Sequence, residues 1–355
     1  MRGGSAVTGD PPRRVAAIDC GTNSLRLLIA DVDAGRALAD VDRRMDIVRL
    51  GQEVDATGRL APEALARTFR KLAGYAKAVR DSGASSVRMV ATSATRDAAN
   101  ADEFARGVTE LLGVAPEVIS GREEAFLSFI GATAELTGPG AGELSRPAAA
   151  PLPPYLVVDI GGGSTEFVLG GTAGPGGAAG PGGAAGPGGE PIAPDPADLA
   201  ALSTNIGCVR LTERHLHSDP PAPAEIEAAT ADIDAALATV AASIPVASAR
   251  TLVGVAGSVT TLTGIALDLP AYDSARIHHA RVCAPRIHEV TRNLLTQTRS
   301  ERAGIAVLHP GRVDVIAAGA LILDQIVTRF GFAEMVASEH DILDGIAWSI
   351  VTGGR

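Results

Sequence analysis

Cysteine is scarce in this 355-residue chain: Cys20, Cys208 and Cys283 stand far apart. Three scattered thiols exclude a disulfide framework and a cysteine-rich zinc module, and they suit a reducing, cytoplasmic setting. Aromatic residues make up only 3%, too few for the stacking platforms of single-strand nucleic-acid binders. Basic charge is also short, with 31 Lys+Arg against 41 Asp+Glu and a formal net charge of -10. Neither general nucleic-acid binding nor attachment to an anionic membrane is expected. A polyanion held locally by a few arginines stays open. The uncharged stretch Thr251 to Leu267 has 17 residues with Thr, Ser and Gly throughout, too short and too polar to span a bilayer. Residues 1–14 are Gly/Pro/Arg-rich, lack the apolar centre of a secretory signal and read as a disordered N-terminus.

What is present is apolar: 46% of residues are hydrophobic, enough for two domains of ordinary size. Val15 to Ile18 is a short apolar run before Asp19 and predicts a buried strand, with a second strand over Leu25 to Val32. Pro62 opens a helix with Leu65, Phe69, Leu72, Ala76 and Val79 on one face. Strands are expected at Val87 to Ala91 and Val114 to Ile119, with a helix between them at Ala101 to Leu112. Further helices are expected from about Glu123 to Leu136 and from Pro310 to Phe330. Leu156 to Asp159 then repeats the opening pattern. Aligning Asp19 with Asp159 places Gly21 on Gly161 and Ser24 on Ser164. An echo that occurs twice predicts a duplicated α/β domain rather than a solenoid. Domain I is expected over 15–137, with a C-terminal helix at 341–352 returning to it. Domain II is expected over 138–340. Pro/Ala/Gly-rich stretches at about 138–154 and 170–197 read as flexible insertions that could bury no core.

Five motifs could carry chemistry, and each also has a plain structural account. Thr22, Asn23 and Ser24 follow Gly21 in a turn of small residues, as any tight turn would; their N–H groups and side chains could also hold phosphate. Gly161, Gly162 and Gly163 permit close backbone approach before Ser164. A strand follows them rather than a helix, which excludes Rossmann and Walker loops. Asp159, at the strand end, suits a Mg²⁺ ion. Ser93 and Arg96 end a third segment, at the carboxyl edge where ligands gather, or else serve as a cap and a surface charge. Ser120-Gly121-Arg122-Glu123-Glu124-Ala125 starts a helix, where acidic residues are favoured anyway. One of its glutamates could equally act as a general base on water, its pKa raised by a neighbouring carboxylate such as Glu166. Gly257 and Ser258 lie where a strand leads into a helix, a place for an anion or simply for tight packing.

In order, these five segments resemble the exopolyphosphatase / guanosine pentaphosphate phosphohydrolase (Ppx/GppA) family of the actin-like ATPase superfamily. Gly207 to Glu213, Arg312 to Ile316 and Ser338 to Gly345 resemble it as well, so the likeness runs from Val15 to about Val351. The resemblance implies two actin-like (ribonuclease H-like) α/β domains with the active site in the cleft between them. It implies removal of a terminal phosphate from inorganic polyphosphate, or of the 5′ phosphate of guanosine pentaphosphate, with Mg²⁺ (Mn²⁺ as the alternative ion). A non-catalytic sensor of guanosine tetraphosphate or another nucleotide is the competing reading. Carried over residue by residue, Thr22, Asn23, Ser24 and Arg26 form one phosphate loop, flanked by Ser93 and Arg96. Gly161, Gly162, Gly163 and Ser164 form the other, Asp159 faces the metal, and Glu123 and Glu166 are the catalytic carboxylates, with Glu123 taken as the base. A homodimer is a further implication. Longer relatives carry an additional helical domain of the His-Asp phosphohydrolase type. Here His340-Asp341 reads as a lone dipeptide with no second metal-binding cluster, so short chains or a nucleotide are the expected substrates.

Overall fold

The computed structural model describes residues 12–32, 38–137, 151–171 and 199–352. Most of the two expected insertions, at 138–150 and 172–198, lies outside the described residues, as does 1–11. The first sheet contains β1 (Arg13–Cys20), β2 (Ser24–Val32), β3 (Leu38–Ile47), β4 (Ser86–Ala91) and β5 (Glu117–Val118), in the order β3-β2-β1-β4-β5. The second contains β6 (Tyr155–Ile160), β7 (Thr165–Gly170), β8 (Ala200–Thr204), β9 (Thr251–Val255), β10 (Arg281–Cys283) and β11 (Glu334–Ala337). Its order is β10-β11-β9-β6-β7-β8. From β8 inward this is the first topology again, with β10 added antiparallel at the far edge. In both sheets the first strand pairs antiparallel with the second and parallel with the fourth. The echo around Asp19 and Asp159 is therefore a repeated ribonuclease H-like topology, the paired actin-like α/β architecture.

Burial explains the sequence pattern. Val15 to Cys20 and all of β6 are buried, and strands covered on both faces read as continuous apolar runs. In the first lobe the helices are α1 (Val54–Thr57), α2 (Pro62–Ser82), α3 (Ser93–Arg96) and α4 (Ala101–Leu112). The longer ones, α2 and α4, pack Leu65, Leu72, Tyr75, Phe104 and Val108 on one sheet face. Helix α2 starts with Pro at its first position and stops at Gly83, whose φ of 71° is the left-handed C-cap conformation. Helix α5 (Gly121–Thr137) then crosses to the second lobe. That lobe carries α6 (Cys208–His215), α7 (Pro223–Ser243), α8 (Ala256–Ala266), α9 (Ser274–Ile277), α10 (Ala284–Thr296), α11 (Arg299–Ala303) and α12 (Ile316–Phe330). Helix α13 (Ile342–Thr352) packs Ile342, Leu343 and Ile346 on the first sheet. The facing surface of the second sheet is covered by Ala125, Phe129, Ala132 and Leu136 of α5. Helices α5 and α13 thus form a shared layer between the lobes. They cross at Gly131 and Gly345, where any β-carbon would run into the Asp341 or Leu127 carbonyl.

Several boundaries differ from expectation. Arg13 and Arg14 belong to β1 rather than to a disordered N-terminus, and Arg14 Nε donates to Asp31 at 2.7 Å. The strand expected over Val114 to Ile119 pairs only at Glu117–Val118. The helix expected from Pro310 begins at Ile316; Pro310–Arg312 is a separate 3₁₀ turn, held by His309 Nδ1 accepting the Gly311 N–H. Leu152, expected in an insertion, is tied to Thr251 by two hydrogen bonds. Strand β3 was not foreseen, because its residues are mostly exposed or half-buried polar ones at a sheet edge.

Candidate active site

The two glycine turns have one geometry. Gly21 N–H donates to the Ser24 carbonyl at 2.9 Å, and Gly161 N–H to the Ser164 carbonyl at 3.0 Å. Each turn joins the central strand of its sheet to an antiparallel neighbour, so the pseudo-equivalent loops face one another across the cleft. The approach is close. A β-carbon on Gly162 would lie 2.9 Å from Thr22 Cβ, and one on Gly163 2.6 Å from Ser93 Oγ. Thr22 Oγ1 and Ser93 Oγ are themselves 2.9 Å apart. Thr22, Asn23, Ser24, Ser93, Gly161, Gly162 and Ser164 line one cavity, and Gly257 and Ser258 from the start of α8 complete its wall. Gly163 sits just behind that wall, and its carbonyl accepts from Arg210 Nε at 2.7 Å. Arg210 also reaches Asp55 (2.5 Å) and Asp97 (2.6 Å) of the first lobe, clasping the lobes beside the loops.

Three buried carboxylates, Asp19, Glu124 and Asp159, line the cavity, and a fourth, Glu166, is buried beside Asp159. Asp19 and Asp159 end the two central strands. Asp159 Oδ2 accepts from Ser128 Oγ at 2.6 Å. Glu166 pairs in register with Asp159 across β6 and β7 and accepts from Ser203 Oγ at 2.7 Å. Glu124, near the start of α5, accepts from Arg96 Nη1 at 3.1 Å. Burial, then the negative charge of Glu166, pushes the Glu124 carboxyl well up. Burial and Asp159 raise Glu166 to about 8, and burial followed by Asp341 raises Asp159 to about 6. The charge of Glu166 thus bears on Glu124, and that of Asp159 on Glu166.

The placement of Glu123 corrects the sequence reading. Its carboxylate turns to the outer surface and binds Arg88 Nη2 at 2.7 Å, while Glu124 lines the cavity. Adjacent positions on a helix point about 100° apart, so only one of the doublet can face the cleft. The arginines also differ from expectation. Arg26 is spanned by Asp19, at 2.6 Å, and Asp341, and Arg96 by Glu124, so both are already neutralised. Arg312, which the sequence reading left without a role, lines the cavity with no carboxylate partner among the described residues. Its one described side-chain contact there is a 3.3 Å hydrogen bond to Thr261 Oγ1. Burial lowers its pKa, though it stays a cation. The signal was available: Arg312 opens one of the segments noted as family-like.

A divalent cation fits this donor set. Asp19 Oδ1 is buried with no partner among the described residues, and burial together with the charge of Asp341 raises Asp159. Hard carboxylate oxygens are what Mg²⁺ takes.

The profile of the Ppx/GppA phosphatase family matches residues 28–352. Exopolyphosphatase 2 of Mycobacterium tuberculosis is 47% identical over 349 residues, covering 95% of this chain and 98% of its own. A crystal structure described as an exopolyphosphatase-like protein is 38% identical with a TM-score of 0.83, over 96% of this chain and 98% of that one. The Aquifex aeolicus Ppx/GppA family member is 26% identical with a TM-score of 0.72, over 97% of this chain and 100% of its own. With a family match over most of its length and so close a relative, the chain belongs to the Ppx/GppA phosphatase family.

Proposed function

We propose that this hydrolase is an exopolyphosphatase that releases the terminal phosphate of inorganic polyphosphate, short chains above all. The observation that carries the reading is the Glu124–Glu166 pair, buried beside two facing backbone loops. Backbone N–H groups of the loops, Thr22, Asn23, Ser24 and Ser93 would hold the terminal phosphate oxygens. Arg312 would meet the next phosphate, because it is the cavity cation not already paired. Phosphoryl transfer needs mostly position and charge neutralisation. Asp159 and Asp19 would hold Mg²⁺ (or Mn²⁺), which when bound neutralises charge on the transferring group. Glu124 takes a proton from the attacking water as the new P–O bond forms. The bridging P–O bond breaks, and the shortened chain leaves as an anion. Glu166, next to Glu124, keeps its pKa high enough to accept that proton.

The test is phosphate release over a chain-length series of polyphosphates, with guanosine pentaphosphate in parallel. Turnover of short polyphosphate that collapses in Glu124→Gln supports the reading. Turnover of guanosine pentaphosphate alone would replace the substrate. Tight nucleotide binding without any phosphate release would instead make the protein a sensor.

A further inference from the structure

Three side chains outside the cleft meet at the junction of the lobes. Glu135 lies near the end of α5, the crossover from the first lobe to the second. His340 lies in the return crossover between β11 and α13, and His278 follows α9. The first and last of the three are more than 200 residues apart, so His340 is not the lone residue that its local sequence suggests. His278 Nε2 is 2.9 Å from Glu135 Oε2, and His340 Nδ1 is 3.5 Å from Glu135 Oε1. One ligand atom from each of the three lies within 4.8 Å of the others, and the two imidazole rings are 4.6 Å apart. A fourth group stands beside them. The His279 ring is 3.7 Å from that of His278, and both its nitrogens are buried without a partner among the described residues. Its φ of 60° is the left-handed region that non-glycine residues seldom occupy.

We propose that Glu135, His278 and His340 bind a late first-row divalent ion of the Zn²⁺ class, separate from the carboxylate cleft. Two imidazoles and one carboxylate are a zinc ligand set with a coordination position left for water. Such a water would also offer the unsatisfied His279 ring a partner. The nitrogen donors select against Mg²⁺, which prefers oxygen. So does the proton count. His278 Nδ1 accepts the Glu339 N–H at 3.1 Å, so in the neutral ring Nε2 carries the proton. An ion on Nε2 moves that proton to Nδ1, and the Glu339 N–H must turn away. Only an ion whose bond to imidazole outweighs one backbone hydrogen bond can occupy the site. The ion would tie both interlobe crossovers to the second lobe.

The experiment titrates the chelator-stripped full chain with Zn²⁺ alone against a chromophoric chelator, in excess Mg²⁺ to occupy the cleft. The expected result is one Zn²⁺ per chain, unchanged in Asp159→Asn and weakened by about 100-fold or more in His278→Gln and His340→Gln, since loss of a mere hydrogen-bonding partner of a ligand already costs about 10- to 100-fold. Equal binding by wild type and both histidine variants, or no stoichiometric binding at all, would overturn the proposal. Circular dichroism checks that the variants fold. The His340 ring makes none of the hydrogen bonds of its segment, which run through its backbone and Ser338. Co²⁺ absorption on wild type gives a readout independent of the variants: ligand-field bands of a nitrogen-ligated ion support the site, and the spectrum of aqueous Co²⁺ rejects it.

Discussion

Glu123 and Glu124 differ by one position and by nearly everything else. Glu123 meets Arg88 at the surface, and Glu124 is buried beside Glu166 and Arg96. Glu124→Gln should lower the rate of phosphate release by about 10²–10⁴, the usual worth of a general base. Glu123→Gln should stay within a few-fold of wild type; a comparable collapse there would reverse the assignment. The sequence did not resolve the pair because α5 has no polar face to set its phase. It is packed on the second sheet by Phe129 and Ala132 and on α13 by Leu127 and Gly131. Arg312 makes a second case at this scale. Arg312→Ala should raise KM for polyphosphate more than it lowers kcat, since an unpaired cation contributes to substrate binding and transition state alike. Steady-state kinetics with KM unchanged would remove Arg312 from the substrate site.

Among the elements, the α5–α13 crossing and the Arg210 clasp carry the most consequence. Gly131→Ala would place a methyl group against the Asp341 carbonyl. The helices must separate, at a cost of about 1–3 kcal/mol; urea unfolding measures it, and an unchanged midpoint would contradict the close crossing. The same shift would disturb Asp341 and, through it, Arg26. Arg210→Ala releases Gly163 from Asp55 and Asp97. A loop misplaced by an ångström should cost roughly 10- to 100-fold in kcat/KM, whereas Arg210→Ala with wild-type kinetics would make the clasp a surface ornament. These elements were partly legible. The strand–turn–strand units and the start of helix α2 follow from apolar runs and Pro62. The start of α12 does not, because the apolar pattern already begins at Val313, in the turn that links the helix to the 3₁₀ turn at Pro310–Arg312, whose path is set by His309 and by the approach of Arg312 to Gly257.

For the whole molecule, the raised carboxylates link stability to pH. Asp159 and Glu166 hold protons in the folded state above the range where they lose them unfolded. In that window the folded state binds more protons, so stability falls as pH rises, from about the ordinary carboxylate range to about 8. Thermal unfolding of metal-free protein should therefore show a midpoint that declines between pH 5 and 8. Mg²⁺, which favours the ionised forms, should restore it most at pH 8. A flat profile, or equal Mg²⁺ stabilisation at both pH values, would mean that the four carboxylates do not interact as their positions imply.

The sequence by itself determined the fold class, the duplicated strand–turn–strand unit and the family, because these rest on local patterns: apolar runs, glycine turns and fixed motif spacing. Tertiary structure alone decided which glutamate enters the cleft and which arginine remains unpaired. It also decided that Glu135, His278 and His340 are neighbours. Those outcomes depend on helix phase and on contacts between residues hundreds of positions apart, and no local pattern encodes either.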